Sequence, residues 1–243
     1  MNILFLIGGK SIRESDHYPI FLTEIDGKTI LERQINSCKE LDAKKFLFCF
    51  RAEDLANFNL DFAVKQLVSN NTVISVKNET KGALCTAMLA AKYIDNDEEL
   101  IILSIDDFMD ENCKDVVDFF RKNNADAGVV SFCSIHPRYS YIKTLDGITV
   151  VEAAEKKPIS KNALVSFYYY KHGHDFMECA KSVIRKDIPV NGNFYISETL
   201  NEMILKQKTV VVKTIKNSSF HSIKNEQLLA QYISEIKNLE ASK

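Results

Sequence analysis

Apolar runs of strand length alternate with longer stretches of helical period along the first hundred residues. Residues 2–7 are unbroken apart from Asn2, and Ile30, Leu31, Gln34, Ile35, Cys38 and Leu41 then recur at helical intervals. A strand over 46–50, a helix over about 53–68 and a strand over 72–76 follow. A helix of small residues from Ala83 to Tyr93 then precedes a strand over 100–105, which ends at Asp106 and Asp107. Strands that are apolar at every position are buried on both faces, as in a parallel sheet covered by helices. The alternation up to residue 107 is a doubly wound α/β pattern.

The second half changes character. It predicts a strand over 127–133, a hairpin of 139–143 and 148–153 around Asp146-Gly147, and a long aromatic-rich strand from Ala163 to Lys171. Helices over about 173–185 and from Ser197 to Lys206, a strand over 209–215 and an amphipathic helix over about 225–239 complete the chain. The 8 glycines and 4 prolines form no linker, and there is no internal repeat, so the 243 residues read as one domain. Phe167 to Tyr170 suit either a core or a homodimer interface, and both readings stay open.

Composition narrows the function. A 46% hydrophobic and 26% charged chain of net charge −2 has the balance of a soluble globular protein and gives no reason to expect nucleic-acid binding, which usually needs a basic face. Six cysteines without a CxxC pair, mostly in apolar company, indicate reduced thiols and a cytoplasmic protein. The apolar start runs into Gly8-Gly9 after too few residues for a signal peptide or a membrane span, and reads as a buried strand. No membrane insertion is expected.

Five segments carry candidate chemistry. Gly8-Gly9-Lys10-Ser11-Ile12-Arg13 follows the first strand, where backbone amides approach an anion or a turn needs positive φ. Glu79 to Ala87 joins a strand to a small-residue helix, against which a flat ring, or simply the sheet, packs. Asp106-Asp107 ends the central strand, on the side where open α/β sheets bind ligands; a carboxylate there holds magnesium or caps a turn. Glu155-Lys156-Lys157 offers hydroxyl acceptors and phosphate-binding ammonium groups, or else a solvated loop. Val190-Asn191-Gly192-Asn193-Phe194-Tyr195 offers polar contacts, or a turn that needs Asn-Gly.

The order of segments is more telling than any one of them. Thr80 to Thr86, Ile94 to Glu98, His136-Pro137-Arg138-Tyr139-Ser140-Tyr141, Ala154 to Ser160 and Val190 to Tyr195 succeed one another over about 200 residues. In this the chain resembles the sugar-phosphate nucleotidyltransferases, particularly a bacterial subgroup associated with surface-polysaccharide precursors. The resemblance implies a GT-A-like, Rossmann-like three-layer α/β/α sandwich with a mostly parallel mixed central sheet. Residues 1–110 would form its nucleotide-binding half and 111–243 its sugar-binding half. It also implies that a nucleoside triphosphate and a sugar 1-phosphate yield a nucleotide sugar and pyrophosphate, with Mg2+ as cofactor. By position, Gly8, Gly9, Lys10 and Arg13 would face the triphosphate, with Glu79 and Gly82 beside the base. Asp106 would bind magnesium, Glu155 and Asn191 the sugar, and Lys156 or Lys157 its phosphate; Arg13, Asp106 and Lys157 would be the catalytic groups.

Three positions depart from that pattern. Ser11 stands where the family's first loop has its second glycine, and Ile20 where a lysine normally follows the proline. Phe220 to Asn225 replaces a glycine-rich turn that often carries a second metal-binding aspartate, and His221 is a poor magnesium ligand. These departures keep two alternatives open, a GT-A glycosyltransferase acting on a nucleoside-diphosphate sugar and a non-catalytic nucleotide-binding relative.

Overall fold

The computed structural model describes residues 1–9, 13 and 18–241, with side chains through 236. The chain opens with β1 (Asn2–Ile7), a two-stranded ribbon of β2 (Glu24–Ile25) and β3 (Lys28–Thr29), and α1 (Ile30–Ser37). Then come β4 (Lys45–Arg51), α2 (Ala52–Phe58), α3 (Leu60–Leu67), β5 (Asn71–Val76), α4 (Ala83–Met88), α5 (Ala91–Ile94) and β6 (Leu100–Ser104). The second half contains β7 (Asp107–Met109), α6 (Cys113–Lys122), β8 (Ala127–Cys133), β9 (Ser140–Thr144), β10 (Val150–Glu155) and β11 (Asn162–Tyr170). It closes with α7 (Gly173–Lys186), α8 (Ser197–Leu205), β12 (Val210–Thr214), β13 (Phe220–Ser222) and α9 (Glu226–Ala241).

One nine-stranded mixed sheet takes strands from both halves, in the order β10-β9-β11-β6-β1-β4-β5, with β8 and β12 branching from β11. β6, β1, β4 and β5 are mutually parallel, as the nearly unbroken apolar character of β1, β4 and β6 predicts. β11 turns the sheet antiparallel against β6, β8 and β9. Because strand side chains alternate between faces, Ile3, Phe5 and Ile7 enter one core while Leu4 enters the other. The first core takes the apolar faces of α1, α3 and α6, and the second takes α4, α7 and α8. The result is the three-layer α/β/α sandwich. Phe5, Phe48 and Phe50 stack in a row on the first face, at ring separations of 5.1 and 5.8 Å.

Several details differ from the sequence reading, each for a local reason. The helix over 53–68 is two helices, because Asn59 between them takes a left-handed φ of 47°. The small-residue helix also breaks, where Leu89 and Ala90 make tighter i→i−3 bonds to Thr86 and Ala87. α6, strongly amphipathic and capped by Asn112, was not anticipated. Phe167 to Tyr170 are all buried in the sandwich, which removes them as an interface. Cys133 is exposed, while Cys38, Cys49, Cys113 and Cys179 are buried free thiols. Among the described residues no helix is long and apolar enough to cross a membrane.

Candidate functional site

Parallel strands in one sheet end on one edge. The carboxyl ends of β1, β4, β5 and β6 therefore open together onto a cleft of about 800 Å³, where open α/β sheets bind their ligands. Gly8, Gly9, Arg51, Glu79 and Gly82 line one side. Arg138, Tyr139, Glu155, Lys156 and Tyr195 line the other, and Ser104, Asp106, Asp107 and Ser166 lie between.

The first side is built of close backbone approaches. Gly82 sits at φ 98°, ψ 175°, and a Cβ there would lie 2.4 Å from the Phe194 carbonyl oxygen. That contact is stitched by two bonds, from Phe194 N to Lys81 O at 2.9 Å and from Leu84 N to Phe194 O at 3.2 Å. The hydroxyls of Thr80 and Thr86 meet at 2.6 Å, and both reach the Gly82 carbonyl. Neither Gly8 nor Gly9 has positive φ, which removes the turn reading of that pair. Gly8 is instead closely packed, a Cβ there lying 3.2 Å from Thr86 Cγ2, while a Cβ on Gly9 meets nothing within 4 Å among the described residues. Lys10 and Ser11 lie outside the described residues. Arg13 is not among the lining residues, its guanidinium lying 4.9 Å over the Tyr18 ring.

On the opposite side, Glu155 ends β10 and accepts hydroxyl hydrogen bonds from Ser140 and Ser197, the latter at 2.7 Å. Burial first, and the Glu155 charge second, push the Tyr168 phenol above its ordinary range, so Tyr168 presents a neutral group to the cleft. Lys156, with a left-handed φ of 54°, donates to the Tyr195 hydroxyl at 2.6 Å and lies 4.8 Å over its ring. Lys157 is exposed and outside the lining, so of the two candidate lysines only Lys156 is in the cleft. Asn191 is also outside: with φ 51°, followed by Gly192 at 78°, it forms a tight turn closed by Val190 and Asn193. Asn193, two residues on, lines the cleft in its place.

Between the two sides lies the acid pair, both members of which line the cleft. Asp107 is 2% exposed at its side chain, and its Oδ2 accepts from the Ser166 hydroxyl and lies 3.5 Å from Lys224 Nζ. β13 pairs antiparallel with β7, placing Ser222 opposite Asp107, and Ile223 N donates to Asp106 O at 2.8 Å. The segment that would carry a second metal-binding aspartate therefore delivers an ammonium. Magnesium, which the resemblance implies on Asp106, prefers an octahedron of hard oxygen donors. The groups present do not fit an ion clamped between protein carboxylates. One carboxylate of the pair is already engaged, a cation stands beside it, and among the described residues no three His, Cys, Asp or Glu gather as a metal set. His221 faces away from this role, held between Asp110 Oδ2 at 3.0 Å and Glu235 Oε2 at 3.1 Å. Ile20 is 1% exposed in the first core, so its side chain packs the sandwich rather than facing phosphate.

Sequence reasoning missed Arg51, Arg138, Tyr195 and Lys224. Arg51 was hidden at the end of an apolar strand, and Lys224 in a segment read only for what it lacked. Arg138 and Tyr195 lay inside quoted motifs without an assigned contact.

Comparisons with known proteins agree with this architecture. A nucleoside-diphosphate-sugar pyrophosphorylase from Vibrio cholerae RC9 superposes with a TM-score of 0.78 at 19% identity, over 96% of this chain and 100% of that one. A UDP-glucose pyrophosphorylase solved with UDP-glucose gives 0.77 at 15% identity, over 98% of each chain. These likenesses show the fold. The Bifunctional protein GlmU of Buchnera aphidicola subsp. Schizaphis graminum (strain Sg) is 28% identical over 104 residues, which is 42% of this chain and 21% of that protein. The family model described as Nucleotidyl transferase matches residues 15–233. With the cleft at the carboxyl edge of this sandwich and nine-tenths of the chain under that match, the protein belongs to the nucleotidyl transferase family, as its resemblance to the sugar-phosphate nucleotidyltransferases implied.

Proposed function

We propose that the protein transfers a nucleoside monophosphate from a nucleoside triphosphate to a sugar 1-phosphate and releases pyrophosphate, supplying a nucleotide sugar for a surface glycan. The observation that carries this is the two-sided cleft, in which a backbone-built nucleotide side faces a side of hydroxyl acceptors and cations. On the first side the loop around Gly82 and the small face of α4 leave room for a flat base. Gly8 and Gly9 let the phosphates approach the backbone at the end of β1. On the second side Glu155 is already oriented by two serine hydroxyls to accept from sugar hydroxyls. Lys156 and Arg138 bring positive charge to the sugar phosphate.

The chemistry asks little covalent work of the protein. A phosphate oxygen of the sugar 1-phosphate forms a bond to the α-phosphorus. The α–β bridging bond breaks in line with it, and pyrophosphate leaves with the electron pair. Catalysis of this kind is positioning together with charge stabilisation. Each side of the cleft holds one reactant, and the basic side chains offset the charge that gathers on the equatorial oxygens.

The test is pyrophosphate release from each of the four nucleoside triphosphates against a panel of sugar 1-phosphates. The expected result is turnover with one base and a narrow set of sugars. Absence of turnover across the panel, together with tighter binding of a nucleoside diphosphate than of any triphosphate, refutes the proposal in favour of a glycosyltransferase.

A further inference from the structure

We infer that Lys224 is the resident cation of this cleft, its ammonium binding nucleotide phosphate oxygens beside Asp106 and Asp107, where a divalent ion held by a second carboxylate would otherwise stand. The inference rests on the triphosphate reading of the cleft. It goes beyond that reading by naming the group that meets the phosphates and by predicting how far binding depends on metal.

The backbone fixes the placement. Ser222 is paired with Asp107, and Ile223 N is bonded to Asp106 O. The next residue, Lys224, is thereby carried to the floor of the cleft, which its side chain lines together with Ser104, Asp106 and Tyr139. Asp107 needs a positive partner there. Among the described residues its Oδ1 is buried without a hydrogen-bond partner, and its Oδ2 is shared between the Ser166 hydroxyl and Lys224. A buried carboxylate left so incompletely satisfied is strongly unfavourable unless a cation stands beside it.

Lys224 in turn is held by that carboxylate, with its Nζ 3.5 Å from Asp107 Oδ2. An ammonium has three donors, and the Lys224 side chain remains 43% exposed while Asp107 engages it from one side. Donors therefore remain for an anion in the cleft. A magnesium ion held by the same carboxylate would stand close to that ammonium, and the two positive charges would repel. The acid pair thus anchors a lysine, and the lysine faces the phosphate.

Calorimetric titration of the full chain with inorganic pyrophosphate, in EDTA and in excess magnesium, tests this. Wild type is expected to bind in EDTA. Lys224→Met is expected to lose about tenfold or more in affinity there, the loss of a charge-assisted contact, and Lys224→Arg to stay within a few-fold of wild type. Lys224→Asp, which supplies the missing carboxylate, is expected to bind only when magnesium is added. Thermal melts establish that each variant is folded. If Lys224→Met does not fold, the wild-type titration decides alone, since pyrophosphate binding abolished by EDTA overturns the inference. Equal binding by wild type and a folded Lys224→Met overturns it too. If sugar-phosphate turnover is found but is strictly magnesium-dependent and indifferent to Lys224→Met, the inference fails and the proposed function stands. Pyrophosphate bound through Lys224 with no turnover on any substrate pair gives the reverse.

Discussion

Replacing Gly82 with alanine should both destabilise the protein and open the nucleotide side of the cleft. At φ 98°, ψ 175° the residue occupies a region that is essentially glycine-only, so alanine there carries about 1–3 kcal/mol of backbone strain. The added Cβ would also lie 2.4 Å from the Phe194 carbonyl oxygen and 2.9 Å from the Phe194 nitrogen. Both are backbone atoms, which cannot rotate aside. Relief requires the loop to lift from Phe194, breaking the Phe194 N to Lys81 O and Leu84 N to Phe194 O bonds, each worth about 0.5–1.5 kcal/mol. Backbone strain and the two broken bonds together total about 2–6 kcal/mol, a large share of the roughly 5–15 kcal/mol that stabilises a domain. Urea unfolding should show the midpoint falling at an unchanged m-value, and nucleotide affinity should fall in the folded fraction. Gly9→Ala is the control: a Cβ there meets nothing within 4 Å among the described residues, so its stability should shift by less than about 0.5 kcal/mol. A Gly82→Ala midpoint no further from wild type than that of Gly9→Ala would refute the packing argument.

Ile20→Lys, which restores the family's residue at that position, should lower stability by more than about 3 kcal/mol because it places a charge in the first core; a gain in nucleotide affinity at unchanged melting temperature would contradict the placement. Glu155→Gln should weaken turnover about a hundredfold while nucleotide binding is unchanged, since the side chain serves the sugar half of the cleft; paired calorimetry and pyrophosphate release separate the two effects. His221 has its pKa raised, first by its bond to Asp110, against burial, and further by Glu235. Its contribution to stability is therefore fully present below its unfolded value of about 6.5 and is lost as pH rises through the higher folded value. Urea midpoints of wild type and His221→Gln should differ at pH 5.5 or so and converge in mildly alkaline solution; a gap that widens with pH would reverse the assignment.

The fold was legible because its strands announce double burial. Residues 2–7, 46–50 and 100–105 are apolar at nearly every position, and the structure sends alternate side chains to two separate cores. What the pattern did not reveal was local and geometric. Asn59 splits a helix through a single left-handed residue, a conformation that asparagine tolerates but does not announce. The ribbons of two and three residues are too short for any alternation to register, yet the β7–β13 ribbon brings Lys224 to the acid pair.

The site was legible by position and not by partnership. Gly8, Gly9, Glu79, Gly82, Asp106, Glu155 and Lys156 all lie on the cleft because each sits at or near a strand end, and strand ends can be read from a chain. Lys157 falls outside because β10 has ended and the left-handed φ of Lys156 turns the chain before it, and Asn191 because Asn191-Gly192 satisfies a turn before it can serve a ligand. The departures at Ile20 and His221 read as missing phosphate and metal contacts when each residue is compared with a family position. The surroundings change that reading: Ile20 completes a core, His221 ties β13 to α9 through Glu235, and the residue that answers the acid pair is Lys224, three positions beyond the one inspected. A charge requirement in a cleft can be met by any element that reaches it. Degeneracy inferred from single positions is therefore weaker evidence than the sum of charges the fold assembles, and here that sum sets Lys224 beside the acid pair and Arg51, Arg138 and Lys156 elsewhere on the cleft lining.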